Sequence, residues 1–141
     1  MGTYRSAKEL RGILDQVLSE IEADPVDCPR LRGAGAPVRL EITDLKLVLN
    51  MAPGERGGKA LDWDFSASSR RQPRLSLKMD SEFANRFLQG RENPAIAIVR
   101  GRLRTSSEDV AAALRFFPAV RPLFEHYREL VAREYTHLAL D

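Results

Sequence analysis

The stretch from Leu75 to Thr105 admits few arrangements, because each of its segments carries its own start and stop signal. Leu75, Leu77 and Met79 alternate with Ser76 and Lys78, the period of a strand with one buried face. Asp80 or Ser81 then offers an oxygen to the free amides of a first helical turn, and Glu82 suits the positive end of the helix dipole. Phe83, Phe87 and Leu88 give this helix an apolar edge, and Gly90 predicts its left-handed stop. Asn93-Pro94 starts a second helix, with Asn as cap and Pro at the first position, where its missing amide is no loss. Ala95, Ile96, Ala97, Ile98 and Val99 follow without polar relief, so this piece is expected to be buried nearly all round or to face an apolar ligand. Gly101 ends it, and Arg102, Leu103 and Arg104 predict a short strand with Leu103 inward.

The chain before this stretch reads as helix, loop and strands. Ser6 and Glu9 form a capping box, and Leu10, Ile13, Leu14, Val17, Leu18 and Ile21 make an amphipathic stripe suited to covering a sheet, with a lid over a ligand mouth as the alternative. Residues 1–23 are therefore an N-terminal helix. Residues 24–37, with three prolines, Gly33 and Gly35, are expected to be loop. Val38, Leu40 and Ile42 alternate, as do Leu45, Leu47, Leu49 and Met51, and again Leu61, Trp63, Phe65 and Ala67. With the strands at Leu75 and Leu103 this predicts an α+β fold: about five strands in a mostly antiparallel sheet, with helices covering one face. Pro53 to Ala60 superficially suggests a phosphate loop, but the Gly54 to Gly58 spacing is one residue short and Ala60 replaces the metal-binding hydroxyl. A hairpin turn is the better reading. After Thr105 a second capping box, closed by Glu108, opens a helix whose apolar face is Val110, Ala111, Leu114 and Phe117. Residues 38–117 thus hold the sheet and core helices. Residues 118–141 form a helical extension marked by Leu123, Phe124, Tyr127, Leu130 and Val131, expected to pack on the sheet or on a second subunit as a homodimer contact.

A chain of 141 residues suits one domain and buries roughly 68–70% of its unfolded surface. Cys28 is the single cysteine, which excludes an internal disulfide framework and agrees with a reducing cytoplasm. The formal charge of +2 is spread rather than blocked, and no basic, aromatic-studded surface for nucleic acid is evident. No run approaches the ~20 apolar residues of a membrane span. The start lacks an apolar signal core, and with Ala7 in the key position the myristoylation pattern is poor.

Met79, Gly90, Asn93, Pro94, Gly101 and Leu103, at their spacings, resemble the motif of the sterol-carrier-protein family, the small lipid-binding domain of the type-two sterol carriers. Asp109-Val110, Ala113-Leu114-Arg115 and Phe116-Phe117-Pro118 continue the resemblance, which covers roughly Leu45 to Pro122. Phe83 stands one residue before the family's usual aromatic position, and Glu108 stands where a Gly is common. The resemblance implies a tunnel between helices and sheet, with Leu77, Phe83, Phe87, Leu88, Ile96, Val99, Leu103, Leu114 and Phe117 as its wall. The chain does not end in a peroxisomal address of the kind eukaryotic members often carry, and arginine outnumbers lysine; a bacterial origin is the simpler expectation.

Chemistry-bearing motifs are scarce. His126 and His137 have no carboxylate or cysteine at ligand spacing, no serine sits in a nucleophile elbow, and Asp62 and Asp64 read as solvated strand charge. No metal or cofactor is expected. Arg100, Arg102 and Arg104 read as a solvent face, or as an anchor for an acidic headgroup or an anionic membrane surface, with Arg102 and Arg104 the candidate headgroup contacts. The expected function is non-catalytic binding or transfer of a lipid-like molecule: a fatty acyl chain, acyl thioester, phospholipid, sterol or isoprenoid. Ten buried methylenes would contribute about 8 kcal/mol gross. The rival readings are an accessory module whose apolar groove receives a partner helix or dimer mate, and an enzyme acting on a hydrophobic substrate.

Overall fold

Ser6 opens the first helix: its Oγ accepts from the Glu9 amide at 3.1 Å, and the Glu9 carboxylate accepts from the Arg5 amide at 3.1 Å. The return bond thus reaches one residue further back than in the usual capping box. The computed structural model describes residues 3–32, 37–53, 61–67, 73, 75–105 and 120–140. In it the first helix, α1 (Ala7–Ala23), buries all six residues of its stripe. It is fastened to the sheet by polar bonds at its rim, where Trp63 Nε1 donates to Asp15 at 2.9 Å and the Leu61 amide donates to Glu22 at 3.3 Å. Apolar face and polar rim together make α1 a cover on the sheet.

The stretch expected to be loop contains a second helix, α2 (Asp27–Arg32). Asp24 Oδ1 accepts from the amides of Val26 at 2.8 Å and Asp27 at 3.0 Å, which satisfies donors at the helix start. Pro29 lies in the first turn, where a missing amide costs nothing, so a proline-rich run is compatible with a short helix.

The sheet has five strands in the order β3-β2-β1-β4-β5. They are β1 (Val38–Ile42), β2 (Leu47–Pro53), β3 (Leu61–Asp64), β4 (Leu75–Met79) and β5 (Arg104–Thr105). Three pairings are antiparallel and one, β1 with β4, is parallel, setting Leu40 beside Leu77 and Ile42 beside Met79. Between β1 and β2, Thr43–Leu45 forms a 3₁₀ turn closed by Lys46 in the left-handed region, so Leu45 lies outside the strand expected to contain it. The strand begun at Leu61 stops at Asp64, short of Phe65 and Ala67. Asp64 Oδ1 is drawn into a turn by the Ser66 amide at 3.0 Å, while also accepting from Asn50 Nδ2 at 2.9 Å.

Asp80 caps α3 (Ser81–Leu88), its Oδ1 accepting from the Phe83 amide at 2.7 Å. Asp44, in the 3₁₀ turn, grips the same end with both oxygens, accepting from the Ser81 amide at 2.8 Å and the Ser81 hydroxyl at 2.6 Å. Asn93 caps α4 (Pro94–Val99). Both helices end alike: Gly90 and Gly101 take positive φ of 77° and 74°, and the following amides, of Arg91 and Arg102, reach back to Arg86 and Ala97. The last helix, α5 (Arg121–Glu134), lies against α1, α2 and α3 and buries Leu123, Tyr127, Leu130 and Val131. The face expected to meet the sheet or a second subunit is therefore filled by the chain's own helices. The predicted helix carrying Val110, Leu114 and Phe117, and the turn from Gly54 to Ala60, lie outside the described residues.

Candidate functional site

A cleft of about 320 Å³ lies where the 3₁₀ turn, the end of β4 and the start of β5 meet. It is lined by Thr43, Lys78, Met79, Asp80, Gly101, Arg102 and Arg104. Lys78 and Arg104 are direct cross-strand partners, an arrangement of like charges that weakens a sheet unless something negative sits nearby. Glu41 answers part of it, 3.7 Å from Lys78 on the other side. Asp80 faces the cleft with its carboxylate already engaged as a helix cap. The three cations therefore outweigh the single acid that lines the site. Arg102 holds its guanidinium 5.4 Å from the centre of the Phe83 ring, so one residue joins the charged cleft to the apolar core behind it.

The residues expected to form an apolar wall divide into three groups. Leu77, Phe83, Phe87, Leu88 and Leu103 are buried in the common core. Phe83 stacks on Phe87 with ring centres 5.7 Å apart, and Phe87 meets Phe124 edge-on at 5.1 Å. Ile96 and Val99 are instead exposed, so burial nearly all round does not hold for α4, which buries Ala97 alone. Leu114 and Phe117 lie outside the described residues. Leu103 is inward as expected but precedes the strand, which is only Arg104–Thr105; its amide is held by the Ala97 carbonyl at 3.2 Å.

Behind the core runs a polar chain that periodicity did not announce. Tyr4 and Tyr127 hydroxyls are 2.6 Å apart, and Tyr127 donates to Asn85 Oδ1 at 2.7 Å. Gln89 Nε2 donates to the same oxygen at 2.8 Å and to the Leu138 carbonyl at 2.8 Å, which also accepts from Asn85 Nδ2 at 2.9 Å. All four side chains are buried. Burial pushes both phenols above their ordinary range, and for Tyr127 the neighbouring Tyr4 adds to the effect, so both keep their protons. A protonated, fully bonded network of this kind holds structure together rather than moving protons.

Neither histidine lacks a carboxylate in space, although both lack one in sequence. His137 Nε2 lies 2.9 Å from Glu9 Oε1, and His126 Nε2 lies 2.9 Å from Asp27 Oδ2 with its Nδ1 3.8 Å from Glu20. Asp24, Asp27 and His126 bring ligating atoms within 4.8 Å of one another, which makes them the metal-capable group among the described residues. Asp24 is already occupied as the α2 cap and His126 ties α5 to α2, so the set has a complete structural role.

Comparison with solved structures decides the architecture. Sterol carrier protein 2 from Yarrowia lipolytica superposes with a TM-score of 0.58 over 86% of this chain and 91% of its own, at 13% identity. The fold is that of the sterol carrier proteins. A conserved hypothetical protein from Thermus thermophilus, described as a candidate sterol carrier protein, matches this fold with a TM-score of 0.59 over 84% of this chain and 86% of its own, at 14% identity. The ubiquinone synthesis protein UbiJ-SCP2 matches with a TM-score of 0.54 over 82% and 89%, at 17% identity. The same sterol-carrier fold aligns with part of a larger enzyme: the chain spans 13% of the inverting sec-alkylsulfatase Pisa1 from Pseudomonas sp., with a TM-score of 0.50, 14% identity and 64% of this chain covered. No family model matches the sequence, and no curated protein does. No helix among the described residues is long and apolar enough to cross a membrane.

Proposed function

We propose that this chain binds and transfers a lipid-like molecule without chemistry of its own. The acidic or polar head would sit in the cleft of Lys78, Arg102 and Arg104, and the tail would enter by opening the core side of α3, where Phe83, Phe87, Leu88 and Leu103 are packed together. The observation that carries this reading is Arg102, which lines the cationic cleft while resting on Phe83, so a head held there would lie next to the apolar core. The sterol-carrier fold supports the ligand class, since three neighbours named as sterol carriers, or carrying that domain's name, share it over most of their length. An apolar tail gains roughly 0.8 kcal/mol for each methylene removed from water, which gives affinity with little selectivity among tails. A carrier fits better than an enzyme because the sequence offers no nucleophile elbow.

The test is organic extraction of gently purified protein with mass spectrometry, paired with displacement of a fluorescent acyl probe. A recovered lipid that competes with the probe supports the carrier. Two core truncations then separate binding from stability. Phe87→Ala should change probe affinity, whereas Leu14→Ala on α1, also a buried truncation, should leave it within error. Absence of extractable lipid together with no saturable probe binding would overturn the proposal.

A further inference from the structure

The short helix α4 carries an apolar edge that is exposed among the described residues. Among the described residues three large hydrophobic side chains are exposed: Val26 at 65%, Ile96 at 50% and Val99 at 86%. Ile96 and Val99 are three residues apart on α4, which places them on one side of the helix. Charge flanks them along the chain. Between Arg91 and Arg104 the chain carries four arginines, all exposed, and one acid. That acid, Glu92, is held by Arg86 at 2.7 Å. The segment's formal charge of +3 exceeds the +2 of the whole chain.

Exposed aliphatic tips on a segment rich in exposed arginines match the surface of an anionic bilayer. Such side chains enter the boundary between headgroups and acyl chains, while arginines remain at the level of the phosphates. A second copy of this chain would bring the same arginines to the contact and repel. We infer that the α4 edge, Ile96 and Val99 with the exposed Arg91, Arg100, Arg102 and Arg104 flanking them in the chain, is a docking surface for membranes containing anionic lipid. Docking there sets the cleft of Arg102 and Arg104 at headgroup level. The inference goes beyond ligand binding and does not depend on it, because a surface can dock whether or not a cavity opens behind it.

Sedimentation with vesicles tests it, using phosphatidylcholine alone and phosphatidylcholine with about one third phosphatidylglycerol. The full chain should bind the anionic vesicles about tenfold more tightly or better, with the advantage falling as salt rises. Ile96→Gln/Val99→Gln should weaken anionic binding about tenfold. Arg91→Gln/Arg100→Gln should weaken it about thirtyfold, from roughly fivefold per charge. Circular dichroism should stay unchanged in both variants, as the substituted side chains are exposed. Equal binding to the two vesicle types, absence of binding to either, or variants that sediment like the parent would each overturn the inference. Probe binding is read separately in vesicle-free solution. Lost docking with intact probe binding removes the surface alone, and lost probe binding with intact docking removes the carrier reading alone.

Discussion

Tyr127 donates its hydroxyl proton to Oδ1 of Asn85 across 2.7 Å, at a point where neither side chain meets solvent. Its proton being committed there, Tyr4 must be the donor in the 2.6 Å contact between the two phenols. Tyr127→Phe leaves Tyr4 without its acceptor and Asn85 with one donor fewer, and should cost about 1–3 kcal/mol. Tyr4→Phe removes only the outermost donor and should cost about 1 kcal/mol. The double variant should fall short of the sum in urea denaturation, because the second change removes a bond the first has already broken. Strict additivity would show that the two hydroxyls act independently.

Gly90 and Gly101 terminate α3 and α4 with positive φ, and a Cβ built on either meets nothing within 4 Å. Alanine at either site is therefore penalised by backbone conformation alone, by roughly 1–2 kcal/mol, and asparagine by less. The denaturation midpoints should rank Gly, Asn, Ala at both positions. A neutral alanine would mean that the helix ends rearrange.

Stability should fall in acid through two carboxylates. Burial pushes the Glu9 carboxyl up, but hydrogen bonds from His137 and the Arg5 amide outweigh it and hold the group below its usual range. The Asp27 and Val26 amides do the same for Asp24. A depressed folded pKa means the unfolded chain binds the proton first as pH drops. The stabilisation is therefore complete above the ordinary carboxylate range and is lost as pH falls through the folded values. Glu9→Gln should be less stable than the parent at neutral pH and converge with it once the pH has fallen through the lowered Glu9 value. A gap that persists in acid would assign the loss to packing instead.

Arg102→Gln/Arg104→Gln should weaken binding of anionic lipid-like probes more than of neutral ones of equal chain length. Charged hydrogen bonds contribute about 1.5–3 kcal/mol each where they form. Competition assays with a fatty acid and its methyl ester provide the comparison. An equal loss for both would place the two guanidinium groups away from the headgroup.

Local signals carried most of the fold. The α1 stripe, the cap at Asn93 and the stops at Gly90 and Gly101 each depend on neighbours within one or two turns and are read directly from spacing, while the cap of α3 is narrowed only to Asp80 or Ser81. Long-range placement was hidden. The parallel pairing of β1 with β4 joins strands separated by the whole of β2 and β3, and no local pattern reports it. Asn85 on α3 and Gln89 at its C-terminal cap, four residues apart, look like an ordinary wet face until the C-terminal turn brings the Leu138 carbonyl to them. The α2 helix was masked by its prolines, although Pro29 occupies the one part of a helix that tolerates it. The α4 run misled in the opposite sense: consecutive apolar residues record hydrophobicity but not which side of a six-residue helix is covered. For the candidate site, the pairing of Arg102 with Arg104 was legible, while Lys78 as their companion follows only from the β4–β5 register.

The buried chain of bonds from Tyr4 through Tyr127 and Asn85 to Leu138, together with the contact of His137 with Glu9, gathers both extremities of the described chain against α3 and the head of α1. Both extremities are thereby tied to the same two helices. A domain fused ahead of Thr3 and another fused behind Leu140 would be held side by side, and the protein between them would act as a clasp rather than a spacer.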